Sequence, residues 1–240
     1  MEFWNLKKDA DMPEDGVLDI DGEIVAEAGW FTPEGVCVAR DFREALKGVR
    51  NVTVHINSPG GDVMAGAEIY SALREHSMNG EGTVTVIVTG LAASAASVVA
   101  MAGDRVLMHP VAYMMIHNPW TITAGGAKEL RKAARTLDEI SEGLISAYER
   151  RTGKNRDELK RMLDAETWMS AQTCVDEGFA DEVYGAGAQA AACLMSAKAH
   201  GVQEIAARIP ETAEPRQTGE ETQKRQDIRR RAEILSRIYG

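Results

Sequence analysis

The sequence predicts an α/β fold with a mainly parallel sheet. Short β-branched runs, such as Val52 to Ile56 and Val84 to Val88, alternate with segments whose apolar residues recur at helical spacing. A turn of glycines or other small residues follows each of these runs, at Ser58 to Gly61 and at Gly90 to Ala93. Strands that alternate with helices form mainly parallel sheets, whose binding sites gather at the carboxyl ends of the strands.

The predicted elements begin with a strand and a helix. Val17 to Val25 alternates apolar and polar residues, which is typical of a half-buried strand. Phe31 to Glu34 resembles a helix entry with proline in the first turn, and this helix is expected to continue through Leu46.

Further helices and strands are predicted after the Ser58 to Gly61 turn. The first helix has apolar residues at helical spacing, namely Met64, Ala67, Ile69, Tyr70 and Leu73. Ser94 to Ala102 is a short apolar helix, and its hydrophobicity on all sides implies burial. Arg105 to Met108 and Ala112 to Ile116 are predicted strands.

The longest predicted helix runs from about Ala127 to Tyr148. Leu130, Leu137 and Leu144 lie seven residues apart along it. Smaller or branched apolar residues lie between them, at Ala133, Ala134, Ile140 and Ile145. The resulting apolar stripe is flanked by charges and is suited to packing against another subunit.

The chain is predicted to form one body, residues 1–185, followed by a tail. Residues 186–208 are rich in alanine and are predicted to form a helical extension. Residues 209–222 are polar and contain proline, which indicates a linker. Residues 223–240 are basic and are predicted to form an amphipathic C-terminal helix.

Composition argues against several classes of protein. The 240 residues include 37 acidic and 27 basic ones, spread without a basic face, so a nucleic-acid partner is not expected. The cysteines, Cys37, Cys174 and Cys193, lack CxxC spacing and an even count, which disfavours disulfides and a zinc site. Because the sequence has no signal peptide and no apolar stretch long enough to span a bilayer, a cytoplasmic protein is expected.

Three short segments contain candidate catalytic groups. Ser94 opens a helix whose free N–H groups could hold a negative oxygen, although a serine there could simply cap the helix. His117 follows an apolar strand and could act as a general base or bond a backbone carbonyl. Gly60 and Gly61 let N–H groups approach a ligand, or form an ordinary turn. The other histidines are expected to bond backbone carbonyls: His55, His76, His109 and His200.

Three motifs resemble ClpP-type serine peptidases in their order and spacing. They are HINSPGG at His55 to Gly61, GLAAS at Gly90 to Ser94 and MIHNP at Met115 to Pro119. The resemblance spans roughly Val17 to Val183, and the helix after Gly126 looks like the handle helix of the family. It implies a ClpP/crotonase-like fold of stacked ββα units with a protruding handle helix.

Carried over residue by residue, the resemblance implies Ser94 as nucleophile and His117 as general base. The backbone N–H groups of Gly61 and Ala95 match the oxyanion hole. The third residue departs from the pattern, because Glu166 stands where the housekeeping enzymes carry aspartate. We favour Glu166 over Asp164, since glutamate fills this role in other Ser-His-acid enzymes and the alignment needs no gap. No cofactor or metal is required.

The ETWMSA segment at Glu166 to Ala171, with the extra C-terminal residues, resembles ClpP-related head maturation proteases of phages and prophages. This subtype implies cleavage of capsid or scaffold proteins, in the host cytoplasm if the protein is phage-encoded. The family also implies a homo-oligomeric ring, a heptamer or a stacked double ring. The sequence identifies no ATPase partner.

Three alternatives are open. The first is a housekeeping-type ClpP subunit that acts with an ATPase unfoldase. The second is a crotonase-like acyl-CoA enzyme, because that related fold also uses glycine-rich oxyanion turns. The third is a non-catalytic ring or scaffold component, for which the missing aspartate is the only indication.

Overall fold

The computed structural model describes residues 7–8, 15–26, 37–38, 42–80 and 82–185. All of these belong to one structural unit, Met1–Gly187. The predicted helical extension (186–208), linker (209–222) and C-terminal helix (223–240) lie outside the described residues, and their assignments stay predictions.

A central sheet with helices packed against it organises this unit. The strands of the described residues are β1 (Lys7–Lys8), β2 (Asp15–Asp21), β3 (Ile24–Val25), β4 (Cys37–Val38), β5 (Asn51–Ser58), β6 (Val84–Ala93), β7 (Arg105–Met108), β8 (Tyr113–Ile116), β9 (Thr167–Ser170) and β10 (Glu182–Val183). The helices are α1 (Phe42–Ala45), α2 (Val63–Met78), α3 (Ala95–Ala100), α4 (Ala127–Thr152), α5 (Arg156–Asp164) and α6 (Ala171–Asp176).

The predicted mainly parallel sheet is confirmed. Within the described residues, the order of the main sheet is β1-β2-β5-β6-β7-β10. Each neighbouring pair along β2-β5-β6-β7-β10 is parallel, and β8 also pairs in parallel with the end of β6. β1 pairs with β2, and β9 with β8, in the antiparallel sense. β3 and β4 form a separate parallel pair.

The core follows the alternation of the strands. Leu18 and Ile20 of β2 are fully buried, whereas Asp19 between them is partly exposed. Helices α2 and α3 contact each other and the sheet. Every residue of α3 is buried, which confirms the burial predicted from its apolar composition.

Three predicted elements are wrong in part. The strand expected from Val17 to Val25 ends at Asp21, and Ile24–Val25 form a separate strand that pairs with β4. Among the described residues of the helix expected to run through Leu46, Phe42–Ala45 are helical, whereas Cys37–Val38 form a strand that pairs with β3. The valines beside Cys37 favour this extended conformation. Gly90 to Ala93 is not a turn but the end of β6, where Leu91 to Ala93 gain β8 as a new partner. The chain bends one residue later, at Ser94.

Helix α4 extends beyond its predicted end, to Thr152. Its buried residues lie near its carboxyl end, at Ile145, Ala147 and Tyr148, whereas Leu130 is 45% exposed.

Across the described part of the chain, no helix combines the length and the apolar composition that a membrane span needs.

Candidate active site

Ser94 occupies the bend between β6 and α3. Its backbone has φ 54° and ψ −126°, a conformation that residues other than glycine rarely adopt. The Ser94 N–H donates to the carbonyl of Met115 in β8 at 2.9 Å. Although Ser94 precedes α3, its hydroxyl makes no capping bond, so the structure does not support the helix-capping alternative for this side chain.

His117 follows β8 and lies beside this bend. Leu91 to Ala93 pair in parallel with Tyr113 to Met115, so the residues that follow the two strands emerge at the same edge of the sheet. His117 Nε2 lies 2.7 Å from Ser94 Oγ, within hydrogen-bonding distance. A neutral imidazole that accepts the hydroxyl proton through Nε2 is the arrangement that general-base activation requires.

The two glycines after β5 bring a loop against the bend. Gly60 and Gly61 have φ values of 93° and 145°, which favour glycine. A Cβ at Gly60 would lie 2.6 Å from the Ala93 carbonyl oxygen and 2.7 Å from Ser94 Cβ. A Cβ at Gly61 would lie 2.2 Å from the carbonyl oxygen of Ile24. Only glycine permits this close approach without a shift of the backbone.

Two backbone N–H groups are available beside Ser94. The backbone N–H groups on either side of Gly61 already have acceptors. The Gly60 N–H donates to Ser58 Oγ, and the Asp62 N–H donates to the Ile24 carbonyl. The N–H of Gly61 itself has no acceptor among the described residues. Ala95 is the first residue of α3, so its N–H has no acceptor within the helix. Such donors could stabilise a negative oxygen.

Neither carboxylate considered for the third position bonds His117 within the described residues. Asp164 Oδ1 accepts from Asn118 Nδ2 at 2.6 Å, and Glu166 Oε1 accepts from Trp168 Nε1 at 3.3 Å. Glu166 precedes Thr167, which pairs with Ile116, so the backbone of Glu166 lies beside that of His117. Glu166 also has a left-handed φ of 48°.

The remaining histidines make different contacts. His76 Nε2 lies 3.0 Å from the carbonyl oxygen of Arg50, which confirms its predicted bond to the backbone. His55 instead pairs with the Asp19 carboxylate at 3.1 Å, and His109 stacks on the ring of Tyr184. The predicted carbonyl bond is therefore not seen for these two residues, and His200 lies outside the described residues.

A cleft of about 630 Å³ opens beside Ser94 and His117. Apolar side chains from α3 and α4, including Val98 and Leu144, form one part of its wall. The cleft is large enough for several residues of an extended peptide.

In the described part of the chain, no group of three or more His, Cys, Asp or Glu side chains is arranged to hold a metal ion.

Two buried hydroxyls near the site were not singled out from the sequence. Ser97 Oγ donates to the Ser94 carbonyl at 2.6 Å, and Tyr148 OH lies 2.8 Å from Ser97 Oγ. In the sequence, the available indication is a serine inside a helix whose other residues are alanine and valine. Nothing local points to Tyr148, which lies 51 residues away.

Comparison with known proteins places these residues in a family. A sequence model of the Clp protease family matches residues 38–187. The chain is 35% identical over 132 residues to ATP-dependent Clp protease proteolytic subunit 1 of Protochlamydia amoebophila, covering 53% of this chain and 62% of that protein. It is 33% identical over 136 residues to the ATP-dependent Clp protease proteolytic subunit of Bacteroides fragilis, covering 56% of this chain and 64% of that protein.

A third relative is ATP-dependent Clp protease proteolytic subunit 1 of Chlamydia muridarum, 37% identical over 133 residues, which cover 53% of this chain and 67% of that protein. This chain spans less than two thirds of the length of the P. amoebophila and B. fragilis proteins. The family match nevertheless covers more than half of the chain and includes Gly61, Ser94, His117 and Glu166. The chain belongs to the Clp protease family.

Proposed function

We propose that the protein is a serine endopeptidase that hydrolyses peptide bonds through an acyl-enzyme. Ser94 is the nucleophile, His117 the general base, and the N–H groups of Gly61 and Ala95 form the oxyanion hole. Glu166 is proposed as the third catalytic residue, with Asp164 as the alternative. The observation that carries the proposal is the 2.7 Å contact between Ser94 Oγ and His117 Nε2 beside two available N–H donors.

In the proposed reaction, His117 Nε2 takes the hydroxyl proton as Ser94 Oγ attacks the scissile carbonyl carbon. The carbonyl oxygen becomes negative and is stabilised by the two N–H donors. The C–N bond breaks as the imidazolium returns the proton to the leaving amine, which leaves an ester on Ser94. A water molecule, deprotonated by His117, then hydrolyses the ester and restores the free hydroxyl.

The family membership and the Ser94–His117 pair favour this activity over the two other classes. A crotonase-like acyl-CoA enzyme would not need a serine and a histidine in contact. A non-catalytic scaffold would not need free N–H groups beside a serine with a strained backbone. Loss of one oxyanion donor typically lowers the rate by about 10²–10³. The contribution of the Gly61 and Ala95 N–H groups to the rate is therefore large enough to measure.

Labelling with a biotinylated fluorophosphonate tests this proposal. We expect one label on Ser94 in peptide mass spectrometry, and loss of the label in Ser94→Ala and His117→Ala. Thermal unfolding of both variants verifies that they fold. A folded and assembled wild-type protein that neither takes the label nor hydrolyses unfolded casein would contradict the proposal and favour the scaffold or crotonase-like alternatives.

We further propose that the protein assembles into a homo-oligomeric ring, a heptamer or a stacked double ring. The relatives named above are proteolytic subunits of ATP-dependent proteases, which supports the alternative of a housekeeping-type subunit fed by an ATPase. Hydrolysis of a short peptide needs no ATPase in either case. A requirement for an unfoldase would therefore appear with folded substrates only.

A finer proposal is processing of phage capsid or scaffold protein in the host cytoplasm. It rests on the ETWMSA segment at Glu166 to Ala171 and on the 53 residues beyond the family match, residues 188–240, which could serve as an assembly tether. Cleavage of the co-encoded capsid or scaffold protein at defined bonds, absent in Ser94→Ala, is expected. If deletion of residues 210–240 leaves assembly and capsid processing unchanged, the tether proposal fails.

A further inference from the structure

A chain of hydroxyl groups runs from α4 to the backbone of the proposed nucleophile. Tyr148 OH lies 2.8 Å from Ser97 Oγ, and Ser97 Oγ lies 2.6 Å from the carbonyl oxygen of Ser94. The same carbonyl accepts the N–H of Ser97 at 3.0 Å. Ser97 is fully buried and Tyr148 is 1% exposed, so water does not compete for these bonds.

The direction of the two hydroxyl bonds follows from the number of protons. A carbonyl oxygen can only accept, so the single hydroxyl proton of Ser97 points to Ser94. The contact between Ser97 and Tyr148 must then use the phenolic proton, and Tyr148 is the donor. Burial raises the pKa of Tyr148, so its phenol keeps this proton at all physiological pH values. Bonds that run in one direction polarise one another.

The carbonyl that these hydroxyls hold belongs to the same peptide unit as the N–H of Ala95. A trans peptide is planar, and its C=O and N–H point in opposite directions. An anchor on the Ser94 oxygen therefore fixes the direction of the Ala95 N–H on the other side of the bond. That N–H is one of the two proposed oxyanion donors.

This peptide unit needs an anchor because its first residue is strained. The φ of 54° at Ser94 lies in a region that costs a non-glycine residue of order 1–3 kcal/mol. Relaxation of the strain would rotate the peptide and move the Ala95 N–H away from the oxyanion. Two bonds to the carbonyl, one of them backed by Tyr148, oppose that rotation.

We propose that Ser97 and Tyr148 are positioning residues that hold the Ser94–Ala95 peptide in the orientation its oxyanion donor requires. The inference rests on the proposed peptidase function and assigns to it two residues outside the catalytic set. Because the oxyanion exists only in the transition state and intermediate, the hydroxyls should affect kcat and leave substrate binding unchanged. A tyrosine that merely lined the cleft would affect KM instead.

The test compares Tyr148→Phe and Ser97→Ala with the wild-type protein in hydrolysis of a fluorogenic peptide. Tyr148→Phe removes the phenolic oxygen and keeps the ring that packs near Phe179. We expect kcat to fall roughly tenfold and KM to change less than about twofold, since a donor is misdirected and not removed. Ser97→Ala removes the direct bond and should have at least as large an effect.

Two further variants sharpen the test. In the double variant, Tyr148→Phe should add little to Ser97→Ala, because both act through one bonded chain. Tyr70→Phe is the matched control, because the Tyr70 hydroxyl accepts a bond from Arg150 at 3.1 Å and does not contact Ser94 or Ser97. Its kcat should equal that of the wild-type protein. Fluorophosphonate labelling rates of Ser94 should follow kcat across the series.

The outcomes separate this inference from the proposed function. An active wild-type protein whose kcat is unchanged in both single variants overturns the positioning role and leaves the peptidase proposal intact. A rise in KM alone, or an equal loss in Tyr70→Phe, also overturns it. A wild-type protein that neither reacts nor hydrolyses peptide refutes the function itself, and the inference with it. If one single variant does not fold, the other decides.

Discussion

The backbone at Ser94 joins a buried strand to a buried helix within one residue. Its N–H is held by the carbonyl of Met115 and its carbonyl by Ser97, so bonds on both sides maintain the unusual φ. The hydroxyl makes no bond to its own helix and lies 2.7 Å from His117 instead. At the scale of single residues, the site thus depends as much on backbone geometry as on side-chain identity.

The third catalytic residue is the first prediction at this scale. Within the described residues, the Glu166 carboxylate accepts one bond, from the exposed Trp168 at 3.3 Å, and the backbone of Glu166 lies beside that of His117. Asp164 is engaged by Asn118 at 2.6 Å. We therefore expect Glu166→Gln to lower kcat/KM for a fluorogenic peptide by about 10²-fold or more, because the imidazole loses its orienting carboxylate.

Asp164→Asn is the matched control for this prediction. It makes the same carboxylate-to-amide change two residues away, and its effect on kcat/KM should be below about tenfold. Circular dichroism and thermal unfolding should show both variants folded. The reverse order of effects would assign the role to Asp164, and equal small effects would mean that neither carboxylate orients His117.

At the scale of elements, the loop after β5 is fitted to the bend after β6. Gly60→Ala would place a Cβ 2.6 Å from the carbonyl oxygen of Ala93. The loop after β5 and the bend at Ser94 must therefore move apart. We expect fluorophosphonate labelling of Ser94 to slow by at least about 10²-fold, since the oxyanion donors move apart. We also expect the free energy of unfolding to fall by about 1–3 kcal/mol.

Gly153→Ala provides the control for the glycine prediction. Gly153 also has a positive φ, 69°, but a Cβ there meets no atom within 4 Å. This variant keeps the cost of the backbone conformation and removes the collision. Its labelling rate should match that of the wild-type protein; a similar loss in both variants would mean that strain alone explains the effect.

A second element-scale prediction concerns Asp104, which joins α2 to the sheet. Its carboxylate accepts bonds from the Val84 N–H at 2.9 Å, from Ser77 at 2.7 Å and from Arg74 at 3.0 Å. Partial burial opposes ionisation of Asp104, but these bonds together outweigh it and hold its pKa below the usual value. The ionised form is therefore bound more strongly in the folded state than in the unfolded one.

Because the folded pKa is lowered, the stability that Asp104 adds is complete above the unfolded pKa of about 4 and is lost as the pH falls through the folded value. Asp104→Asn should lower the free energy of unfolding at pH 7 by about 1–2 kcal/mol, since the side chain is 35% exposed. In urea titrations at pH 7 and pH 3, the difference between the two proteins should shrink at pH 3. A difference that does not depend on pH would contradict this account.

At the scale of the whole molecule, the apolar stripe of α4 has no covering element among the described residues at its amino-terminal end. Leu130 is 45% exposed there, whereas Ile145 and Tyr148 are buried near the other end. An exposed apolar stripe on a long helix is suited to a contact between copies of the chain. This is the surface through which we expect the proposed ring to pair or close.

Leu130→Glu should therefore reduce the mass of the assembly in sedimentation velocity, because a charge would be buried at the contact. The monomer should remain folded. Arg135→Glu changes the charge by a larger amount on the opposite side of the helix, and its assembly should match that of the wild-type protein. An unchanged mass for Leu130→Glu would exclude this end of the stripe from the contact.

Much of this whole was predictable from local patterns. The β5, β7 and α2 elements follow from periodicity and turn chemistry, whereas the roles expected of Ser94 and His117 follow from the resemblance of three motifs to ClpP-type peptidases. The errors arose where a local pattern had two solutions. Gly90 to Ala93 reads as a turn because its residues are small, yet pairing with β8 extends the strand.

The sequence by itself determined the parallel α/β architecture, because strand and helix periodicity depends on residues close together in the chain. It made Ser94 and His117 candidate nucleophile and base through the resemblance of short motifs to a known family. The tertiary structure alone brought Ser94 Oγ to 2.7 Å from His117 Nε2. It also formed the hydrogen bond from Asn118 to Asp164 and the one between Tyr148 and Ser97, which lie 51 residues apart. These contacts depend on how strands and helices pack, and packing between distant segments leaves no periodic trace in the sequence.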